Sequence, residues 1–217
     1  MADKLTELVF ILDKSGSMAG LERDTIGGYN AMLEKQRRLA AKCSITTVIF
    51  AHDYVLLHDR QDINAVSPLT ETEYYVGGTT ALLDAIGQTI HKVTRRQEET
   101  AVDSKAHKVL FVIITDGEEN ASREYSAAQI RQMIEHHQTK DGWEFVFLGA
   151  NIDAVATATN LGIASNRAQN YHADAAGVEL NFRALSDALT AFRENAAMPD
   201  DWNADIQIDY ERRGDRR

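Results

Sequence analysis

Three stretches of the chain are continuously apolar and rich in β-branched and aromatic residues: 8–13 (LVFILD), 109–116 (VLFVIITD) and 145–151 (FVFLGAN). A strand with one wet face alternates apolar and polar positions, whereas a strand covered on both faces has no such need. These runs therefore predict the central strands of a mostly parallel sheet. Between them, apolar positions recur at helical spacing: Ile26, Tyr29, Leu33, Ala40 and Cys43, then Leu83, Ile86, Ile90 and Val93, then Ile130, Met133, Ile134 and His137. Strand alternating with helix predicts an α/β fold with right-handed crossovers.

One region breaks the alternation. In 44–61 (SITTVIFAHDYVLLHDRQ) two β-rich runs are separated only by His52 and Asp53, too short a gap for a crossover helix, so the pair predicts an antiparallel hairpin at a sheet edge. A short sixth strand is expected around 168–172. A helix follows over 175–195, with Leu180, Ala184, Leu185, Ala188, Leu189 and Phe192 on its inner face. The whole is a Rossmann-like open sheet of six strands, mostly parallel with one antiparallel edge strand, and with helices on both faces. Residues 1–195 read as one domain. The polar, Pro-interrupted stretch 196–217 reads as a tail, either docked or disordered.

Composition narrows the function. At 217 residues and 44% hydrophobic the chain supports one sizeable core. Its 33 acidic against 23 basic residues give a net charge of −10, which repels phosphate backbones and argues against nucleic acid. Cys43 is the single cysteine, and the first residues lack the basic-then-apolar pattern of a signal peptide, so a cytoplasmic location is expected. No apolar run approaches the roughly 18 residues needed to span a membrane.

The chemistry sits where the strands end. The first strand runs into Asp13-Lys14-Ser15-Gly16-Ser17 and the fourth into Asp116-Gly117-Glu118-Glu119-Asn120, while Gly77-Gly78 precedes Thr79 and Thr80 at a helix start. Each Ser or Thr alone would serve as a helix cap. Together, two carboxylates and three hydroxyls at one edge make an all-oxygen set suited to a hard divalent cation such as Mg²⁺. Ligands of open α/β sheets bind at that edge, and the helix N-termini there add positive potential, so an anionic oxygen from outside is expected to complete the coordination.

These residues resemble the metal-ion-dependent adhesion site of the von Willebrand factor type A domain. The family's D-x-S-x-S matches Asp13, Ser15 and Ser17, its threonine matches Thr79 with Thr80 as second choice, and its T-D-G aspartate matches Asp116. The resemblance covers about 5–195. It implies Mg²⁺ or Mn²⁺ held by Asp13, Ser15, Ser17, Thr79 and Asp116, and a protein partner whose Glu or Asp completes the coordination. It also implies that the first and fourth strands are central neighbours.

Weaker candidates near that edge are His52 and Asp53 at the hairpin tip, with Asp84, Glu118, Glu119 and Asn120 as supports for waters or hydroxyls. Asp153 reads as a helix N-cap. His136-His137 reads as a helix end, one ring inside and one outside. Two other functions stay open: a metal-assisted hydrolase of a phosphate or ester, and self-association through the tail acids Asp200, Asp201, Asp205 and Asp209. Neither G-x-x-x-x-G-K-[ST] nor G-x-G-x-x-G occurs, so nucleotide binding has no support.

Overall fold

The computed structural model describes residues 5–195 and 197–214. Six strands, β1 (Thr6–Asp13), β2 (Cys43–Phe50), β3 (Tyr54–Asp62), β4 (Lys108–Thr115), β5 (Glu144–Gly149) and β6 (Ala168–Asn170), form one sheet in the order β3-β2-β1-β4-β5-β6. All pairs are parallel except β2 with β3. The fold is thus the predicted open α/β sheet with its antiparallel strand at one edge, and β1 and β4 are adjacent at its centre.

Among the described residues, six α-helices cover it: α1 (Glu22–Arg37), α2 (Leu82–Glu99), α3 (Ala127–Asp141), α4 (Ala154–Asn160), α5 (Ala175–Asn195) and α6 (Ala204–Arg213). The two-residue period of a strand divides the core into two layers. Leu8, Phe10 and Leu12 of β1 face α1 and α5, where Tyr29, Leu33, Leu185 and Leu189 are buried. Val9 and Ile11 face α2 and α3, meeting Ile86, Ile90, Ile130 and Ile134. Because both faces are covered, neither set of positions needs to be polar.

The chain winds from β1 toward β2 in one direction and from β4 toward β6 in the other, so the order reverses between β1 and β4. Leu12 pairs with Ile114 there. The crevice that such a reversal opens lies just beyond Asp13 and Thr115.

Two boundaries differ from the pattern, and the stretch beyond 196 takes the docked alternative. α1 stops at Arg37, and Cys43 opens β2, where it pairs with Thr6. Parallel pairing with β1 therefore takes residues that helical spacing had claimed. His136 is exposed and His137 buried as the periodicity predicts, but α3 continues to Asp141 and is stopped by Gly142 in the left-handed region. Beyond 196, Met198, Trp202 and Ile206 are buried in the core layer on the α1/α5 side, and the Trp202 indole donates to the Asn166 carbonyl at 2.9 Å. Among the described residues, no helix is long and apolar enough to cross a membrane.

Candidate metal centre

Asp13 is the last residue of β1 and is 1% exposed. One carboxylate oxygen accepts the Ser15 amide at 2.6 Å, turning the chain sharply as it leaves the sheet. The other accepts the Thr115 hydroxyl at 2.6 Å, tying β1 to β4 across the reversal. The Tyr74 hydroxyl donates to the Asp13 carbonyl. After the turn, the Ser15 and Ser17 hydroxyls stand 3.1 Å apart.

The Gly-rich loop is laid against this turn by backbone bonds, Gly77 N–H to the Lys14 carbonyl at 2.8 Å and Gly16 N–H to the Gly78 carbonyl at 3.1 Å. Gly78 has φ +84°, and a Cβ there would fall 2.3 Å from His52 Nδ1. Only glycine lets the loop pass the hairpin tip so closely.

Which threonine joins the serines is decided by this loop. Thr80 is 3% exposed, its amide donates to Asn120 Oδ1 at 2.9 Å, and its carbonyl accepts the Asn120 amide at 3.0 Å. A Cβ placed on Gly117 would lie 3.0 Å from Ser17 Oγ, 3.1 Å from Thr80 Oγ1 and 3.7 Å from Ser15 Oγ. The three hydroxyls thus ring the residue that follows Asp116, and any side chain there would fill the space. Thr79 is exposed instead and lines a separate groove with His52, Asp53 and Asp84. The hydroxyl that meets Ser15 and Ser17 is therefore that of Thr80, the second choice of the sequence reading.

Asp116 supplies the electrostatic demand. It is 1% exposed, and among the described residues neither carboxylate oxygen has a hydrogen-bond partner. Burial raises its pKa to about 6, with the Asp13 charge adding to the rise and the Ser17 hydroxyl, near but outside bonding geometry, opposing it. Burial also raises Asp13, against the donors from Thr115 and Ser15. Tyr171 and Tyr74 are pushed up by burial and by the same two carboxylates. A buried polar atom without a partner costs about 1–3 kcal/mol, and more when charged. An oxygen-only donor set holding two unpaired buried oxygens fits a divalent cation.

The remaining candidates divide by their contacts. Lys14, almost wholly buried, places Nζ 3.0 Å from Asp53 and 4.3 Å from the centre of the exposed Tyr75 ring. Against a desolvation push upward, that ammonium holds Asp53 below the ordinary carboxylate range. Asp84 accepts the amides of Arg123, Glu124 and Tyr125 at 2.8–2.9 Å, so it pins the loop after β4. Glu119 accepts the Leu83, Ala121 and Ser122 amides. Asn120 clamps Thr80. Glu118 is exposed and faces a polar cavity of about 830 Å³ on the β5–β6 side, lined also by Asp153, His172 and Tyr210. Asp153 caps α4, accepting the Ala156 amide at 2.9 Å. Of the two residues that hold Asp13, Thr115 is the threonine of the T-D-G match, to which the sequence assigned no role, and Tyr74 is a loop aromatic that nothing in the sequence marks.

No protein-family model matches the chain, and no curated protein is similar to it in sequence. Solved structures are similar in fold. The PilB minor pilin from Streptococcus sanguinis superposes with a TM-score of 0.64 at 10% identity, over 92% of this chain and 64% of that one. A von Willebrand factor type A protein from Catenulispora acidiphila gives 0.56 at 14% identity, over 87% and 43%. Proximal thread matrix protein 1 from the mussel byssus, solved with a zinc-occupied MIDAS motif, gives 0.52 at 13% identity, over 89% and 45%. The chain spans less than two thirds of the length of each of these proteins.

Proposed function

From the von Willebrand factor type A fold that this chain shares, we propose that it is a metal-dependent protein-interaction module. One observation carries the reading: the buried Asp116 carboxylate has both oxygens unpartnered beside the converging hydroxyls of Ser15, Ser17 and Thr80. Asp13, Ser15, Ser17, Thr80 and Asp116 would hold the ion, which is Mg²⁺ or Mn²⁺ by the hardness of an all-oxygen set. When bound, it offers an acidic partner an open position for one anionic oxygen.

The chain's own residues prepare that position. Thr115 and the Ser15 amide hold Asp13 in place, Asn120 holds Thr80, and the Gly77-Gly78 strand of loop holds the serine turn. The exposed Tyr75 and the His52 tip flank the site and offer contacts to a partner's surface. A Glu or Asp side chain is the chemistry such a site selects.

The test is capture on immobilised protein from the source lysate, in Mg²⁺ and in EDTA, with wild type beside Ser17→Ala and Asp116→Ala. Bound proteins are identified by mass spectrometry. The expected result is a partner retained only by wild type and only with Mg²⁺. Equal capture in EDTA would overturn the proposal.

A further inference from the structure

A second cluster of ligand-type side chains lies near the end of α3. His136, His137 and Asp141 each offer a ring nitrogen or carboxylate oxygen, all within 4.8 Å of one another. α3 runs directly into β5 at Glu144, so the cluster sits at the opposite end of the sheet from Asp13 and Asp116.

The His137 ring is held at one face and at both nitrogens. It stacks on Trp143 with centroids 4.0 Å apart and planes 9° from parallel. Its Nε2 lies 3.0 Å from Thr94 Oγ1, and its Nδ1 lies 2.6 Å from Asp141 Oδ2. Thr94 has one hydroxyl hydrogen and donates it to the Ile90 carbonyl at 2.8 Å. Toward Nε2 the hydroxyl either accepts or, in its other rotamer, donates, and the ring tautomer follows it. With the hydrogen on Nε2, the Nδ1 lone pair faces the Asp141 carboxylate, which is the arrangement a metal ion requires. The 2.6 Å contact is a hydrogen-bond length, and an ion about 2.0–2.2 Å from both atoms would part them to about 3 Å or more.

His136 favours the metal. A shared proton needs two partners only, whereas the exposed His136 brings a third donor within 4.8 Å of both, its ring edge-on to His137 with centroids 5.1 Å apart. We propose that His136, His137 and Asp141 form a second metal site, for Zn²⁺ or another borderline transition ion. Two imidazole nitrogens and one carboxylate are a zinc donor set, unlike the all-oxygen set at the strand ends. Thr94 supplies, on the far ring nitrogen, the hydrogen-bond partner that a metal-bound histidine requires. Three protein ligands leave a position open, and His136 and His137 line a cavity of about 440 Å³ whose other walls include His91 and Tyr125.

Calorimetric titration of the metal-stripped protein with Zn²⁺ in excess Mg²⁺ tests the site. The Asp116→Asn variant removes Zn²⁺ binding at the strand ends from the reading. One Zn²⁺ per chain is expected in wild type and in Asp116→Asn. His136→Gln, at an exposed position, is expected to weaken binding at least about tenfold, and Thr94→Val by about tenfold or more, as loss of a ligand's own hydrogen-bond partner does. Co²⁺ should give the visible absorption of a low-coordinate nitrogen-and-oxygen site in wild type and lose it in His136→Gln. No Zn²⁺ uptake by Asp116→Asn, or unchanged affinity in His136→Gln, would overturn the assignment.

Discussion

Thr115 donates its hydroxyl to the Asp13 carboxylate at 2.6 Å, joining the ends of the two central parallel strands at the point where the strand order reverses. Both residues are buried, at 0% and 1% exposure. The bond fixes one carboxylate oxygen and leaves Asp13 rigid before any ligand arrives. Thr115→Val keeps the shape and removes the donor, leaving a buried charge short of a partner. A loss of about 1–3 kcal/mol in urea unfolding is expected, with Thr115→Ser close to wild type. Equal stability of wild type and Thr115→Val would show that the bond does not matter.

Asp116 is a stability defect in the metal-free protein. Its folded pKa of about 6 lies above the ordinary 3.8, so the folded state binds the proton more tightly than the unfolded one. The associated stability is fully present below about pH 4 and is lost as pH rises through about 6. At roughly 1.4 kcal/mol per pH unit the gap amounts to about 3 kcal/mol at neutral pH. Asp116→Asn should therefore unfold later than metal-free wild type at pH 7.5, and the two should converge near pH 4. Chemical denaturation in EDTA at both pH values measures it, and a difference independent of pH would rule out this origin.

Mg²⁺ should repair that defect in wild type alone. Thermal unfolding with and without Mg²⁺ at pH 7.5 is expected to show stabilisation in wild type and none in Asp116→Asn, by the ordinary linkage of ligand to the folded state. At pH 5 the wild-type gain should shrink, because protons compete for the same carboxylate.

The two threonines after Gly78 give a discriminating pair. Thr80→Val is expected to weaken Mg²⁺ binding at least about tenfold, which is about 1.4 kcal/mol, while Thr79→Val should bind as wild type does. Calorimetry on both variants reads the outcome directly. The reverse order would return the ligand role to Thr79.

Trp202 anchors the stretch after α5. It is 6% exposed, packs in the layer with α1 and α5, and its indole bonds to Asn166. Trp202→Ala should cost about 3–5 kcal/mol, as large-to-small changes in cores do. A Trp202→Ala protein that unfolds at the wild-type urea midpoint would mean that this segment contributes nothing to the domain.

Much of this protein was legible in one dimension. Continuous apolar runs identify buried strands because both of their faces must be dry, and the gap at His52-Asp53 forces a hairpin because no helix fits in it. Asp13, Ser15, Ser17 and Asp116 were legible because chemistry of this kind needs particular side chains at strand ends. The tail helix α6 was not, since its single buried residue, Ile206, gives no periodicity to read.

Local sequence determined which residue types stand at the edge; tertiary structure decided which of them meet. Thr79 and Thr80 are chemically identical neighbours, and the two hydrogen bonds between Asn120 and the Thr80 backbone, with the close pass of Gly78 by His52, turn one inward. Thr115, Tyr74 and Asn120 serve the site through contacts across 40 or more positions of sequence, and although Asn120 and the T-D-G threonine stood out locally, which residues they hold did not. Likewise the partner of His137 Nε2 is Thr94, 43 positions away on another helix. Periodicity reports burial, because burial follows from the local repeat of the backbone. Convergence depends on how separate elements pack, and that is a property of the folded chain alone.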